Sequence, residues 1–161
     1  MQKMRVSIIT VSDSVSAGQR EDGSGKAVAQ RCREVGWEII STSIVPDEEE
    51  AIRAQLLALA DAAKSDVILT TGGTGLGPRD VTPEATASVA NRLVPGLAER
   101  MRQIGAAKNP KAALSRSIAG MRGTTLIVNL PGSPRGAVES FDAIAELLPH
   151  AISVLHGARH D

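Results

Sequence analysis

The sequence predicts an α/β fold in which helices cover both faces of a parallel sheet. Short β-branched, apolar runs alternate along its 161 residues with amphipathic segments of helical length. The apolar runs are continuous, as is typical of strands that are buried on both faces. Because the chain contains no internal repeat, linker or low-complexity segment, we expect a single domain over residues 1–161.

The strands are predicted from runs that end in polar or glycine-rich residues. They cover residues 5–11, 38–45, 67–71 and 124–130. Residues 112–123 fit either a short strand pair or a helical turn, and the pattern does not decide between them.

The helices are predicted to begin at capping residues or prolines and to carry apolar side chains at helical spacing. Asp47, with Glu50 three residues later, fits the cap of the second helix. Thr82 fits the cap of the third, followed by Pro83 and the first-turn acid Glu84. The predicted helices cover approximately residues 24–35, 46–63, 83–93, 95–106, 134–148 and 150–157.

The composition excludes several classes of protein. Eighteen basic residues balance eighteen acidic ones, so net charge does not indicate nucleic acid or an anionic membrane as a partner. Trp37 and Phe141 are the only aromatic residues, too few for a single-strand binding platform. Cys32 is the only cysteine, which excludes an internal disulfide, and it falls on the apolar face of a predicted helix. Without a membrane-length apolar run or a signal peptide, we expect a cytoplasmic protein.

The residues after the third predicted strand form a candidate anion site. Glycines at positions 72, 73, 75 and 77 allow backbone N–H groups to converge on a phosphate or carboxylate. Arg79 can hold an anion, and Asp80 can hold a metal ion. The glycine spacing matches neither a Walker A loop nor a dinucleotide fingerprint. A structural alternative is that Asp80 only forms a turn, paired with Arg79.

Three of the predicted strands should bring their following loops into one crevice at the carboxyl edge of the sheet. The residues near these loops include acids, arginines and hydroxyls. No histidine is placed to activate one of the hydroxyls as a nucleophile, and this disfavours covalent catalysis. This inventory favours phosphoryl or nucleotidyl transfer assisted by Mg²⁺. His156 and His160 have helical spacing, but a solvated tail is the preferred interpretation over a metal site.

Three motifs, in this order, resemble those of the MoaB/Mog family of molybdenum-cofactor biosynthesis, whose fold also appears in the G domain of gephyrin. They are TTGGTGLGPRDVTPEA, LSRSIAG and LIVNLPGSPRG, and VSDS and EDGSG near the start extend the likeness over nearly the whole chain. The resemblance implies a three-layer α/β/α sandwich with a mostly parallel central sheet, usually trimeric. It also implies adenylylation of molybdopterin, in which Mg-ATP donates AMP and pyrophosphate leaves. RDVTPEA resembles the Mog-type branch.

The resemblance also implies roles for individual residues. Asp47 and Asp80 match the two acidic positions that the family needs for catalysis, with Mg²⁺ as the metal, so for Asp47 it outweighs the capping interpretation. Gly73, Thr74 and Gly75 match the phosphate loop. The expected substrate- and nucleotide-binding residues are Ser12, Asp13, Gly72, Gly73, Thr74, Gly75, Arg79, Thr82, Pro83, Glu84, Ser115, Arg116, Pro131, Gly132, Ser133 and Pro134.

Two alternatives of other classes stay open. One is a MoaB-type protein that binds molybdopterin without turnover, and the other is a CinA-type nucleotide pyrophosphate hydrolase. A pure binder has no need of two acids placed for a metal, and CinA-type and MoeA proteins normally carry additional domains. The resemblance further implies hand-over of the product to a molybdate-inserting MoeA-type protein.

Overall fold

The computed structural model describes residues 3–158 and has a six-stranded sheet at its centre. The strand order is β2-β1-β3-β6-β5-β4. Strands β2, β1, β3 and β6 are parallel, whereas β5 is antiparallel to β6 and β4 is antiparallel to β5. The strands are β1 Arg5–Val11, β2 Glu38–Val45, β3 Val67–Thr71, β4 Arg92–Leu93, β5 Ala119–Arg122 and β6 Thr125–Leu130.

Helices cover both faces of this sheet, which confirms the predicted three-layer α/β/α arrangement. Two short 3₁₀ turns, Pro110–Leu114 and Ala145–Leu147, connect some of them. None of the helices within residues 3–158 is long and apolar enough to cross a membrane. The helices are α1 Asp13–Ser16, α2 Gly23–Glu34, α3 Glu49–Asp61, α4 Thr82–Val89, α5 Pro95–Lys108, α6 Pro134–Ile144 and α7 Leu148–Leu155.

The central strands are buried on both faces because successive side chains enter different apolar clusters. In β1, Ile8 belongs to the cluster under α2, α5, α6 and α7, and Ile9 belongs to the cluster under α3 and α4. Cys32 of α2 is fully buried in the first cluster, as predicted. Burial raises the pKa of its thiol to about 12, so it stays protonated and inert.

The region after α4 differs from the prediction because strand pairing ends the helix early. A helix to residue 93 was expected, but α4 ends at Val89 and Arg92–Leu93 pair with β5. The N–H of Asn91 donates to the Met121 carbonyl at 2.7 Å, which fixes this turn. Residues 112–123 contain the end of a 3₁₀ turn followed by one strand, which pairs with β4 and β6 outside this segment and not within a local strand pair.

The C-terminal helices also have shifted bounds. The helix predicted to reach residue 148 ends at Ile144, and a 3₁₀ turn leads into α7, which begins at Leu148 with Pro149 in its first turn. His156 directly follows α7, and His160 lies outside the described residues.

One buried polar residue connects the sheet to α4. The side-chain amide of Asn129 in β6 donates to the hydroxyls of Thr70 (3.0 Å) and Thr86 (2.9 Å). Its oxygen accepts the N–H of Ile118 at 3.2 Å. Because Asn129 is completely buried, these bonds compensate its desolvation and fix the position of α4 against β3 and β6.

Candidate active site

The loops that follow β1, β2, β3 and β6 meet at the carboxyl edge of the sheet, where they form a cavity of about 460 Å³. We call it the loop cavity. This convergence is what the switch-point rule predicts for parallel strands. The loop cavity is lined by Thr10, Val11, Ser12, Val15, Arg20, Gly23, Ser24, Asp47, Gly72, Gly73, Asp80, Gly132, Ser133 and Pro134.

A second cavity, of about 510 Å³, lies beside α5, and we call it the α5 cavity. Ser133 lines both cavities, so they adjoin at this residue. The α5 cavity combines apolar side chains with two cationic ones. It is lined by Thr74, Gly75, Leu76, Met101, Arg102, Gly105, Asn109, Lys111, Ala112, Leu114, Ser115, Ser117, Pro131, Ser133, Gly136, Glu139 and Ser140.

The turn after β3 requires glycine at its first two positions. Gly72 and Gly73 have φ angles of +95° and +70°, in the left-handed region that other residues rarely adopt. A Cβ atom on Gly72 would also collide with the Val11 carbonyl, and one on Gly73 with the Thr82 hydroxyl. The glycines therefore allow the turn to pack tightly between β1 and α4.

Contrary to the prediction, Thr82 does not cap α4. It is the first residue of that helix, and Val81 occupies the N-cap position. Its hydroxyl instead donates to the Gly72 carbonyl at 2.9 Å, and its N–H donates to the Gly73 carbonyl at 3.1 Å. Thr82 thus uses its polar groups to hold the glycine turn, and Pro83 behind it is buried.

Arg116 holds the rest of the glycine loop. Its guanidinium donates to the carbonyls of Gly75 and Asp80, each at 2.7 Å, and makes a two-point ion pair with Glu84 at 2.7 and 3.1 Å. Its N–H donates to the Thr74 carbonyl at 2.8 Å. The hydrogen bond from Arg116 keeps the pKa of Glu84 below its ordinary value, so the pair stays charged.

Asp47 does not cap α3, contrary to prediction, because the helix begins at Glu49 with Glu48 at its N-cap. The carboxylate of Asp47 instead accepts the N–H of Asp13 at 2.9 Å, and that of Asp13 accepts the N–H of Asp47 at 3.0 Å. This reciprocal pair joins the loops after β1 and β2. It places Asp47 in the wall of the loop cavity.

Arg79 pairs with Asp13 and not with Asp80. Its guanidinium makes two hydrogen bonds of 3.0 Å to the Asp13 carboxylate. Asp80 accepts the N–H of Gly77 at 2.8 Å through one carboxylate oxygen. The alternative in which Asp80 forms a turn paired with Arg79 is therefore wrong about the pairing. Asp80 does close a turn, but through the Gly77 N–H.

The charges around Asp47 make it an unusual carboxylate. Burial raises its pKa above the ordinary aspartate value, and the nearby charges of Asp13 and Asp80 raise it further, against the lowering effect of the Asp13 N–H. The pKa of Asp13, by contrast, is lowered, first by the Arg79 hydrogen bond and then by the Asp47 N–H. The Asp13 charge is thus neutralised by Arg79, whereas Asp47 and Asp80 both face the loop cavity.

These two carboxylates fit a particular kind of metal site. Within residues 3–158 no group of three or more His, Cys, Asp or Glu side chains could enclose an ion. Mg²⁺ commonly takes only one or two carboxylates and completes its shell with water and substrate phosphates. Two carboxylates that line one open cavity, with the charge of Asp80 contributing to the raised pKa of Asp47, suit that mode of binding.

The serines of the site differ in their placement. Ser133 caps α6, its oxygen accepting the Gly136 N–H at 3.1 Å, and it lies where the two cavities adjoin. Ser115 donates to the Ser117 hydroxyl at 3.0 Å within the α5 cavity. Ser12 caps α1 and lines the loop cavity.

The predicted site residues fall into three groups. Those at the loop cavity are Ser12, Asp47, Gly72, Gly73, Asp80, Gly132, Ser133 and Pro134. Those at the α5 cavity are Thr74, Gly75, Ser115, Pro131 and again Ser133. Those that line neither cavity are Asp13, Arg79, Thr82, Pro83, Glu84 and Arg116.

Several cavity residues were not predicted from the sequence, among them two arginines, a lysine and a serine. Arg20 and Ser24 line the loop cavity from the long polar segment after β1, whose position at a strand end was the available signal. Arg102 and Lys111 line the α5 cavity from α5 and the following 3₁₀ turn. No local pattern distinguishes these two from ordinary surface residues.

Comparison with known proteins gives consistent matches. A family model described as a probable molybdopterin binding domain matches residues 7–150. The chain is 37% identical over 159 residues to the molybdopterin adenylyltransferase of Helicobacter pylori, covering 98% of this chain and 90% of that protein.

Solved structures match as well. MoaB of Thermus thermophilus, described as a molybdopterin biosynthesis enzyme, is 51% identical with a TM-score of 0.88, covering 98% of this chain and 99% of that one. The molybdopterin biosynthesis Mog protein of Mycobacterium ulcerans is 34% identical with a TM-score of 0.88, and the match covers 98% of this chain and 100% of that one. Both branch names therefore occur among the similar proteins, and the assignment to the Mog-type branch stays a prediction.

We expect Arg116→Lys to loosen the glycine loop, because one ammonium group cannot span the acceptors that the guanidinium holds. Amide hydrogen exchange over residues 75–80 should accelerate, and the free energy of unfolding should fall by about 1–2 kcal/mol, a figure reduced for partial exposure. Arg122→Lys is a matched control, since Arg122 also binds a carboxylate (Asp61) and a carbonyl (Val89). Equal exchange over residues 75–80 in both variants would contradict this role.

We expect Asp80→Asn to lower the pKa of Asp47 in metal-free protein, because it removes a negative charge that raises it. The raised pKa of Asp47 also makes the free energy of unfolding depend on pH, because the native and unfolded states bind different numbers of protons. The native state holds more protons than the unfolded chain between the ordinary and the raised pKa, so the contribution of Asp47 to stability falls as pH rises through that window. Carboxyl-carbon NMR titration measures the shift, with Glu48→Gln as the control. An identical Asp47 pKa in both variants would show that the two carboxylates do not share the cavity.

Proposed function

The chain belongs to the family of probable molybdopterin-binding domains and is 37% identical to a molybdopterin adenylyltransferase. We propose that it is itself a molybdopterin adenylyltransferase. It transfers AMP from Mg-ATP to the terminal phosphate of molybdopterin and releases pyrophosphate. The site carries Asp47 and Asp80, which a protein that only binds the pterin does not need.

The observation that carries this proposal is the pair of adjoining cavities. The reaction joins two large substrates, so it needs two binding spaces that meet where the phosphates react. The loop cavity and the α5 cavity meet at Ser133. The Ser133 oxygen already accepts the Gly136 N–H, which leaves its hydroxyl hydrogen available to a phosphate oxygen at this junction.

The loop cavity takes the triphosphate of ATP. Its walls combine the rigid turn at Gly72 and Gly73 with the carboxylates of Asp47 and Asp80. These two residues would hold Mg²⁺, and the bound ion would neutralise part of the negative charge of the phosphates. Asp13 takes part indirectly, because its bonds to Asp47 and Arg79 fix the first carboxylate in the wall.

The α5 cavity takes molybdopterin. Met101 and Leu114 offer apolar surface to a ring system, and Lys111 offers a cation to the negative groups of the ligand. With the ring in this cavity, the terminal phosphate extends toward Ser133. Ser115, fixed by Ser117, supplies a further hydroxyl along the wall.

The transfer needs no nucleophile from the protein. A terminal phosphate oxygen of molybdopterin attacks the α-phosphorus of ATP, a new phosphorus–oxygen bond forms, and the bond to the β-phosphate breaks with its electron pair leaving on pyrophosphate. The protein residues align the two phosphates and offset their charges, which is the main contribution to catalysis in such transfers.

We further propose a homotrimer in the cytoplasm that passes its product to a molybdate-inserting MoeA-type protein. The family resemblance supports this assembly. The exposed side chains of Leu93 and Leu147, which line one groove beside α7, are apolar surface of the kind that subunit contacts cover. Sedimentation at micromolar concentration measures the oligomer, and a monomer would contradict the trimer.

Incubation of the purified protein with molybdopterin, ATP and Mg²⁺ tests the function. We expect adenylylated molybdopterin and pyrophosphate in equal amounts. Molybdopterin binding without either product would identify a pterin-binding protein instead. Cleavage of ADP-ribose in the absence of pterin would identify a nucleotide pyrophosphate hydrolase.

We expect Asp80→Asn to reduce the adenylylation rate by about 100-fold, the scale of losing one important electrostatic contact. The asparagine oxygen can still accept the Gly77 N–H, so folding should survive and molybdopterin binding should change little. Asp142→Asn is the control, because Asp142 is an ion-paired aspartate on α6 that lines neither cavity. Melting temperature and rate are measured on the same preparation. Near-normal turnover with reduced stability would make Asp80 a structural residue only.

A further inference from the structure

The loop cavity has an unusual charge distribution. Asp47 and Asp80 place two carboxylates in its wall. Arg79, the cation nearest to them in sequence, is neutralised by the two-point pair with Asp13. Among the described residues that line this cavity, Arg20 is the only lysine or arginine.

Arg20 has a fixed backbone and a free side chain. On its N-terminal side, the N–H of Gln19 donates to the Ser14 carbonyl at 2.9 Å. On its C-terminal side, Asp22 caps α2 and accepts the Thr10 hydroxyl at 2.9 Å. Within residues 3–158 the Arg20 guanidinium has no hydrogen-bond or ion-pair partner, and the side chain is exposed. A guanidinium held at a cavity and free of partners is suited to bind an anion from solution.

The position of Arg20 relative to the junction indicates which phosphate it binds. An attacking phosphate oxygen and a leaving group lie on opposite sides of the reacting phosphorus. The attacking phosphate enters from the α5 cavity through Ser133, whereas Arg20 lines only the loop cavity. The leaving pyrophosphate therefore lies on the side where Arg20 stands, beside Gly23 and Ser24 at the start of α2.

We propose that Arg20 binds the β- and γ-phosphates of the nucleotide, and hence the pyrophosphate product. This inference rests on the proposed function for the identity of the nucleotide. As the bond between the α-phosphorus and the bridging oxygen breaks, the electron pair passes to pyrophosphate. The Arg20 guanidinium donates hydrogen bonds to that group as its charge increases.

Binding of inorganic pyrophosphate by calorimetry, with Mg²⁺ present and no ATP, tests the proposal. We expect Arg20→Ala to weaken this binding by about tenfold or more, the loss of a charge-assisted hydrogen bond, and Arg20→Lys to restore part of it. Arg33→Ala is the matched control, because Arg33 is an exposed arginine in the last turn of α2 that lines neither cavity. Equal pyrophosphate affinity in the wild-type protein and Arg20→Ala would overturn the proposal, as would a wild-type protein that does not bind pyrophosphate.

Steady-state kinetics separates this proposal from the proposed function. In Arg20→Ala we expect a higher KM for ATP and weaker product inhibition by pyrophosphate, with an unchanged KM for molybdopterin. If the wild-type protein binds pyrophosphate through Arg20 but forms no adenylylated pterin, the proposed function fails and the anion site stands. If the wild-type protein is active and Arg20→Ala raises the KM for molybdopterin instead, the function stands and the assignment of Arg20 is wrong.

Discussion

The hydrogen bonds of Arg116 are the constraint on which the geometry of the site depends. A loop with four glycines has many backbone conformations available, and fixing them costs entropy that the loop itself cannot offset. Arg116 provides bonds to the carbonyls at both ends of the segment from Gly75 to Asp80 and pairs with Glu84 on α4. The Asp80 backbone is thereby held at a fixed place relative to the helix, and the Gly77 N–H holds the Asp80 carboxylate.

A second set of bonds controls the charge of the site. Arg79 is occupied by Asp13, and Asp13 in turn shares reciprocal bonds with the backbone of Asp47. The guanidinium of Arg79 is therefore hydrogen-bonded to Asp13, and its charge lowers the pKa of Asp47 by less than the other effects raise it. Burial, followed by the charges of Asp13 and Asp80, keeps the pKa of Asp47 raised, so its ionised form is only partly stabilised by the protein. A bound cation, shared with phosphate oxygens, would stabilise that form further.

The sequence was sufficient to predict the four parallel strands and the convergence of the loops after β1, β3 and β6 at one edge of the sheet. Continuous β-branched runs indicated β1, β3 and β6, a glycine cluster indicated the loop after β3, and the Pro-Gly-Ser-Pro segment indicated the loop after β6, because all of these signals are local. The local signals gave wrong hydrogen-bond partners where a residue distant in sequence bonds the side chain instead. Asp47 and Thr82 have the right spacing for helix caps, but Asp13 and Gly72 provide their partners instead. Arg116 resembled a ligand-binding cation in sequence, and only the fold brings Gly75, Asp80 and Glu84 within its reach.

We propose that the loop cavity holds a metal-bound triphosphate between the glycine turn and the two carboxylates. A crystal structure with Mg²⁺ and an ATP analogue that has a methylene bridge between its α- and β-phosphates measures this directly. We expect a cation in contact with Asp47 and Asp80, with the α-phosphate facing Ser133. A triphosphate in the α5 cavity, or one in the loop cavity with no cation at either carboxylate, would contradict it.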